Sequence, residues 1–152
     1  MSNPQTLDHA GIAARVPHAG TMCLLDRLLA WDATRIECRA SGHRDAGHPL
    51  RDAGLLPAPV AIEYASQAMA LHGTLSAPAG SAPRPGMLAS VRGVRLHVAR
   101  LDDVAGELNV RCERLAGDER QAMYAFAVSA AADGRVLVDG RATVVLDAVP
   151  AR

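Results

Sequence analysis

The sequence predicts an α+β fold, one long central helix wrapped by a curved antiparallel β-sheet. Three observations predict it. Helix formers run without interruption only between Pro57 and His72, alternating apolar and polar patterns fill the chain after it, and turn dipeptides join those patterns as hairpins. At 152 residues the chain has the length of one domain, 1–152, with room for a core that needs neither disulfides nor a structural metal.

The elements follow in order. Asp8 is placed to cap a short helix through about Arg15, and Pro17 closes it. Met22 to Trp31 is an aliphatic segment. From Arg35 to Ala40 the alternation is strict, Ile36, Cys38 and Ala40 against Arg35, Glu37 and Arg39, which is a half-buried strand pairing back across Asp32-Ala33-Thr34. Ser41 to Leu56 holds His43, His48, three glycines and Pro49 and reads as an irregular loop. Pro57 and Pro59 open the long helix, which Gly73 ends. Its positions are nearly all apolar or small, so protein must cover most of its circumference. Ser76 to Gly86, with three prolines, reads as a flexible connection. Strand patterns around Val94–Val98, Leu108–Cys112, Tyr124–Val128 and Val136–Leu146 follow, divided by Asp102-Asp103, Gly117-Asp118 and Asp133-Gly134.

Composition excludes several chemistries. The sixteen basic residues balance sixteen acidic ones and are all Arg, so a lysine Schiff base and a Walker A loop are impossible, and no basic excess drives nucleic-acid binding. Thirty alanines and 3% aromatic residues predict a tightly drawn aliphatic core. No signal-peptide pattern and no run of eighteen apolar residues is present, which predicts a cytoplasmic protein without a membrane span. Cys23, Cys38 and Cys112 are widely spaced and lack a C-x-x-C pair, so they read as small buried hydrophobes. Zero net charge weakens colloidal repulsion and favours a defined oligomer.

Glu63 is the only charged residue among the thirty-one between Asp52 and Arg84. With Val60, Ile62, Ala65 and Met69 around it, burial would raise its pKa and keep it protonated; the alternative is a thin exposed stripe of Glu63, Ser66 and Gln67. His9 and His97 read as surface residues, and His72 as a cap at the helix C-terminus. His43 and His48 lie in the loop before the helix and can fold over its start. No metal-binding spacing accompanies them, which leaves an acid and base pair drawn from Glu63 and one histidine.

These residues resemble a known family. Val16-Pro17-His18-Ala19-Gly20-Thr21-Met22-Cys23-Leu24-Leu25-Asp26-Arg27 is similar to the opening motif of the hotdog-fold 3-hydroxyacyl-acyl-carrier-protein dehydratases, and Gly47-His48-Pro49 to their His loop. Leu56 to Ala68, with Glu63 and Gln67, is similar to their helix motif, and the pattern lies closest to a divergent subgroup tied to aryl-polyene pathways. The resemblance implies a hotdog fold and Glu63, with His48 or His43, as the catalytic pair. It also implies Ala58, Val60, Tyr64, Gln67, Met87 and Leu88 as substrate-binding residues, with Val60, Tyr64, Met87 and Leu88 lining an acyl tunnel beside Glu63. Ala58 stands where the family has glycine and Pro59 brings no N–H, so a backbone donor is missing there. A dehydratase of this kind takes its substrate on the phosphopantetheine of an acyl carrier protein and needs no cofactor. It works as a homodimer or as a heterodimer with another hotdog subunit. A hotdog thioesterase and a non-catalytic acyl-binding or partner subunit are the competing readings.

Overall fold

The computed structural model describes residues 6–16, 22–77 and 86–146. Pro17 to Thr21 of the opening motif, His18 included, and residues 78–85 lie outside them. The elements are β1 (Leu7–Asp8), α1 (His9–Ala13), β2 (Arg27–Trp31), β3 (Arg35–Ala40), α2 (Ala61–Ser76), β4 (Gly86–Leu96), β5 (Leu108–Gly117), β6 (Gln121–Ala130) and β7 (Val136–Leu146). The strands form one antiparallel sheet in the order β1-β2-β3-β5-β6-β7-β4, and α2 lies across β3, β5 and β6. This is the hotdog arrangement the resemblance implies.

The alternation read from Arg35 to Ala40 is the observed β3, with Ile36, Cys38 and Ala40 buried. Asp8 caps α1 as expected, its carboxylate accepting from Gly11 N–H at 2.9 Å. On α2, Ala61, Ala65 and Ala68 are wholly buried, and their small side chains let the helix sit close to the sheet. Close approach even allows Cys112 Sγ to reach Ala65 O at 3.6 Å. All three cysteines are free and buried as expected, and burial pushes the Cys38 thiol up to about 12.

Two expectations about the helix are corrected. It does not begin at Pro57: Ala58–Val60 form a turn of 3₁₀ helix, and α2 proper starts at Ala61. It does not end at Gly73, which keeps a negative φ, but continues to Ser76, with Thr74 Oγ1 donating to Ala70 O at 3.2 Å. Ala77 then turns extended, as a residue before proline must. His72 is therefore not a terminal cap. Its ring is buried in the core, where Nε2–H donates to Asp32 O at 2.8 Å and Nδ1 accepts from Tyr124 Oη–H at 2.7 Å.

Among the described residues, strand β4 is one edge of the sheet and β1 the other. The register of β4 against β7 alternates a face carrying Met87, Ser90, Arg92 and Arg95 with one carrying Leu88, Val91 and Leu96. The second face continues the core face of β7, where Val144, Ala142 and Val138 are buried, yet Leu88, Val91 and Leu96 are 40%, 38% and 49% exposed. A bulge between Arg92 and Arg95 holds Gly93 at φ +59°, a left-handed conformation that suits glycine.

Candidate functional site

The site is assembled where the loop before α2 meets the strap that follows β4. Arg51 stitches the loop to itself, its guanidinium donating to Asp45 O, Gly54 O and Arg44 O at 2.8, 2.7 and 3.1 Å. The strap then fixes the entrance of the helix. Ala58 N–H donates to Ala99 O at 3.0 Å, Leu101 N–H to Leu56 O at 2.8 Å, and Leu56 N–H to Asp102 Oδ1 at 2.9 Å. Asp102 is ion-paired with Arg100, and that pairing with the backbone bond holds its carboxyl well below the usual carboxylate range.

These bonds settle what the helix entrance can donate. Ala58 is wholly buried with its N–H spent on Ala99, Pro59 has none, and Val60 N–H donates to Pro57 O at 3.0 Å. The position expected to touch substrate through Ala58 offers no free backbone donor.

Glu63 is half-buried on the first turn of α2, which corrects the expectation that an apolar neighbourhood buries it. The exposed-stripe alternative does not hold either, because Ser66 is half-buried like Glu63 and Gln67 is not exposed at all. Ser66 Oγ lies 3.4 Å from one carboxylate oxygen, and Gln67 Nε2 lies 3.3 Å from the other. Gln67 is itself wholly buried. Its Nε2 donates to Met22 O at 2.7 Å and its Oε1 accepts from Leu24 N–H at 2.8 Å, so it ties the opening motif to the helix and steadies Glu63 from behind.

One residue further on, the helix has turned by about 100° and Tyr64 points into the core. Its hydroxyl meets His48 Nε2 at 3.0 Å, and Leu50 N–H donates to His48 Nδ1 at 3.1 Å. His48 is 8% exposed and Tyr64 1%. His43 is buried in the same loop, where its Nε2–H donates to Val104 O at 2.8 Å and its Nδ1 has no partner. Burial lowers the pKa of both histidines and raises that of Tyr64, so all three are neutral near pH 7. His48 and Glu63 are not hydrogen-bonded to each other within one copy of the chain: both nitrogens of His48 are engaged elsewhere.

The expected substrate-binding residues divide. Tyr64 and Gln67 are core residues, Val60 is half-buried, and Met87 and Leu88 stand exposed on the β4 edge. A groove of about 490 Å³ lies elsewhere, on the sheet, lined by Arg92, Arg95, Asp139, Arg141 and their neighbours. Among the described residues no group of three or more metal-ligating side chains exists, and no helix is long and apolar enough to cross a membrane. Sequence reasoning took Asp102 only as a turn residue and missed its hold on the helix entrance. The Asp-Asp pair two residues after Arg100 was the available signal.

A family model described as ApeP-like, ApeP dehydratase, matches residues 10–150. Among solved structures, the dehydratase heterocomplex ApeI:P from Xenorhabdus doucetiae contains a chain 25% identical with TM-score 0.73, covering 88% of this chain and 89% of that one. A thioesterase from Haemophilus influenzae is similar at 13% identity and TM-score 0.65, covering 94% and 92%. A thioesterase variant from Pseudomonas aeruginosa is similar at 15% and 0.65, covering 93% and 95%. At those identities the two thioesterases share the hotdog fold alone. No curated protein matches the chain in sequence.

Proposed function

The chain belongs to the ApeP-like dehydratase family, and from that premise we propose that it serves the dehydration of 3-hydroxyacyl thioesters on the phosphopantetheine arm of an acyl carrier protein, as one subunit of a hotdog pair. The product is a trans-2-enoyl thioester and water. The observation that carries this reading is Glu63, a half-buried carboxyl on the central helix steadied by Gln67 within the family match.

The reaction needs a base for the α-proton, a donor toward the thioester carbonyl and an acid for the departing hydroxyl. Glu63 serves as the acid, giving its proton to the β-oxygen as the C–O bond breaks, with Gln67 Nε2 holding its orientation. The positive end of α2 favours charge developing on the carbonyl, since the backbone N–H groups of Ala58 and Val60 are already spent. His43 and His48 are the base candidates the family pattern offers. His43 keeps a bare Nδ1 but is sealed from solvent, so a histidine of the second hotdog subunit suits the role better. No step calls for a cofactor beyond the carrier's own arm.

The uncovered apolar face of β4 supports pairing with a second hotdog chain, which extends the sheet and covers Leu88, Val91 and Leu96. The related ApeI:P structure is a dehydratase heterocomplex, which favours an unlike partner. The test is to incubate the chain, alone and with a second hotdog dehydratase subunit, with a 3-hydroxyacyl thioester of holo acyl carrier protein, following enoyl absorbance and free thiol together. Enoyl formation without thiol release supports the reading. Thiol release without enoyl formation establishes a thioesterase instead, and neither signal in the paired state leaves a binding or partner subunit.

A further inference from the structure

Arginines on the face of the sheet turned away from α2 are matched with carboxylates. Arg35 lies 3.7 Å from Glu113, Arg39 3.7 Å from Glu107, Arg111 3.9 Å from Glu37 and Arg95 3.0 Å from Asp139. Arg92 and Arg141 break the pattern. They are direct register partners across β4 and β7, so their side chains leave the same face side by side. Among the described residues neither guanidinium has a carboxylate within ion-pair distance or a hydrogen-bond acceptor. Like charges set opposite each other in a ladder are destabilising, and here nothing in the chain offsets them.

The surface around them is concave. Arg92, Arg95 and Arg141 line the groove of about 490 Å³ together with the small residues Gly93, Ala125 and Gly140. The bulge holds Gly93 at φ +59°, and a Cβ added there would meet no atom within 4 Å, so the space between Arg92 and Arg95 is open. The one carboxylate of the groove is spent. Asp139 accepts from Arg95 Nε–H at 3.0 Å through one oxygen and from His97 Nε2–H at 3.0 Å through the other.

From this arrangement we propose that Arg92 and Arg141 form a binding site for a terminal phosphate, either the free anion or the monoester of a small solute, held between the two guanidinium groups. Charge selects the occupant. A carboxylate or a phosphodiester brings one negative charge and neutralises one arginine, whereas a terminal phosphate carries nearly two near neutral pH and presents three strong acceptor oxygens to two planar forks of N–H donors. Once bound, it turns the repulsion between β4 and β7 into a bridge across the outermost ladder. The site lies across the sheet from α2 and Glu63, so it goes beyond the dehydration proposed above and does not depend on it. Pairing through the edge of β4 extends the sheet in its own plane and leaves this face open.

The test is a titration of the full chain, at pH 7.5 and constant ionic strength, with inorganic phosphate, phenyl phosphate and dimethyl phosphate, followed by ¹H–¹⁵N NMR. Saturable shifts of the Gly93 and Gly140 amides are expected with the first two, and the diester should bind at least about ten-fold more weakly. Tighter binding of phenyl phosphate assigns the site to an ester, and tighter binding of inorganic phosphate to the free anion. Arg92→Gln and Arg141→Gln should each weaken the binding of phosphate at least about ten-fold, the worth of one charged hydrogen bond. Arg135→Gln, in the exposed turn between β6 and β7, should leave it unchanged. Both groove arginines are exposed, so their variants keep the fold. A diester bound as tightly as phosphate overturns the proposal, as does the absence of saturation or saturation that survives both substitutions. No acyl substrate enters the experiment, so its outcome is separate from that of the enoyl assay.

Discussion

The function proposed above rests its chemistry on one carboxyl group, that of Glu63. Glu63→Gln keeps its size and one acceptor oxygen for Ser66 or Gln67 but cannot give up a proton to a leaving hydroxyl. Turnover of the paired complex is expected to fall by roughly 10² to 10⁴. The urea midpoint should stay within the small range of a surface substitution, since the group is half-buried. Full activity with a lower midpoint would make Glu63 structural. Gln67 behaves in the opposite way. Gln67→Leu strands the buried N–H of Leu24 and the carbonyl of Met22, at a cost of about 2–4 kcal/mol, measurable by urea unfolding. What the sequence showed of Glu63 was its isolation from other charges. Its partial exposure was not legible, because a side chain's direction on a helix that is apolar on nearly all sides is decided by which neighbours pack against it. The His48–Tyr64 bond was equally out of reach: it joins residues sixteen positions apart through a loop with no periodic pattern.

At the scale of elements, legibility tracked periodicity. Strand β3 agrees with its reading residue for residue, because strict alternation admits only one register. The start of α2 lies four residues later than the prolines indicated, because Pro59 fits a 3₁₀ turn as well as a first helical turn. Gly73 was read as a stop, yet glycine ends a helix only when the chain takes it into the left-handed region, and here it does not. Strand β4 carries the prediction that belongs to this scale. Val91 faces the uncovered side of the sheet opposite Ala142, so Val91→Asp leaves the fold of one subunit unstrained but places a charge in the pairing face. Sedimentation of the pair should show at least a ten-fold weaker association. Undisturbed assembly would mean that the partner binds elsewhere.

For the whole molecule, acid is the revealing variable. His43, His48 and His72 are held neutral in the folded chain because burial lowers their pKa values, whereas each returns to about 6.5 on unfolding. Below about pH 6.5 the unfolded state therefore binds more protons. The stability they contribute is fully present above that value and is lost as pH falls toward the folded pKa values. Each histidine can add a slope of up to about 1.4 kcal/mol per pH unit. Urea midpoints at pH 7.5 and 5.5 should differ clearly, and His72→Gln should flatten the difference; equal midpoints would contradict neutral burial. The carboxyl of Asp102, held low by Arg100, acts only in a more acidic window.

The eleven-residue edge strand β4 reaches beyond the geometry of pairing into the life of the protein in a cell. A long strand with unspent backbone donors and acceptors and Leu88, Val91 and Leu96 on one face is a template for any other extended chain. Arg92 and Arg95 on its other face give only partial protection by charge repulsion. On the proposed pairing, a copy made in excess of its partner is an orphan, open to stacking and to proteolysis. If that pairing holds, the soluble yield of this chain should rise when a hotdog partner is co-expressed and fall when it is made alone; equal yields would mean that the edge needs no such cover.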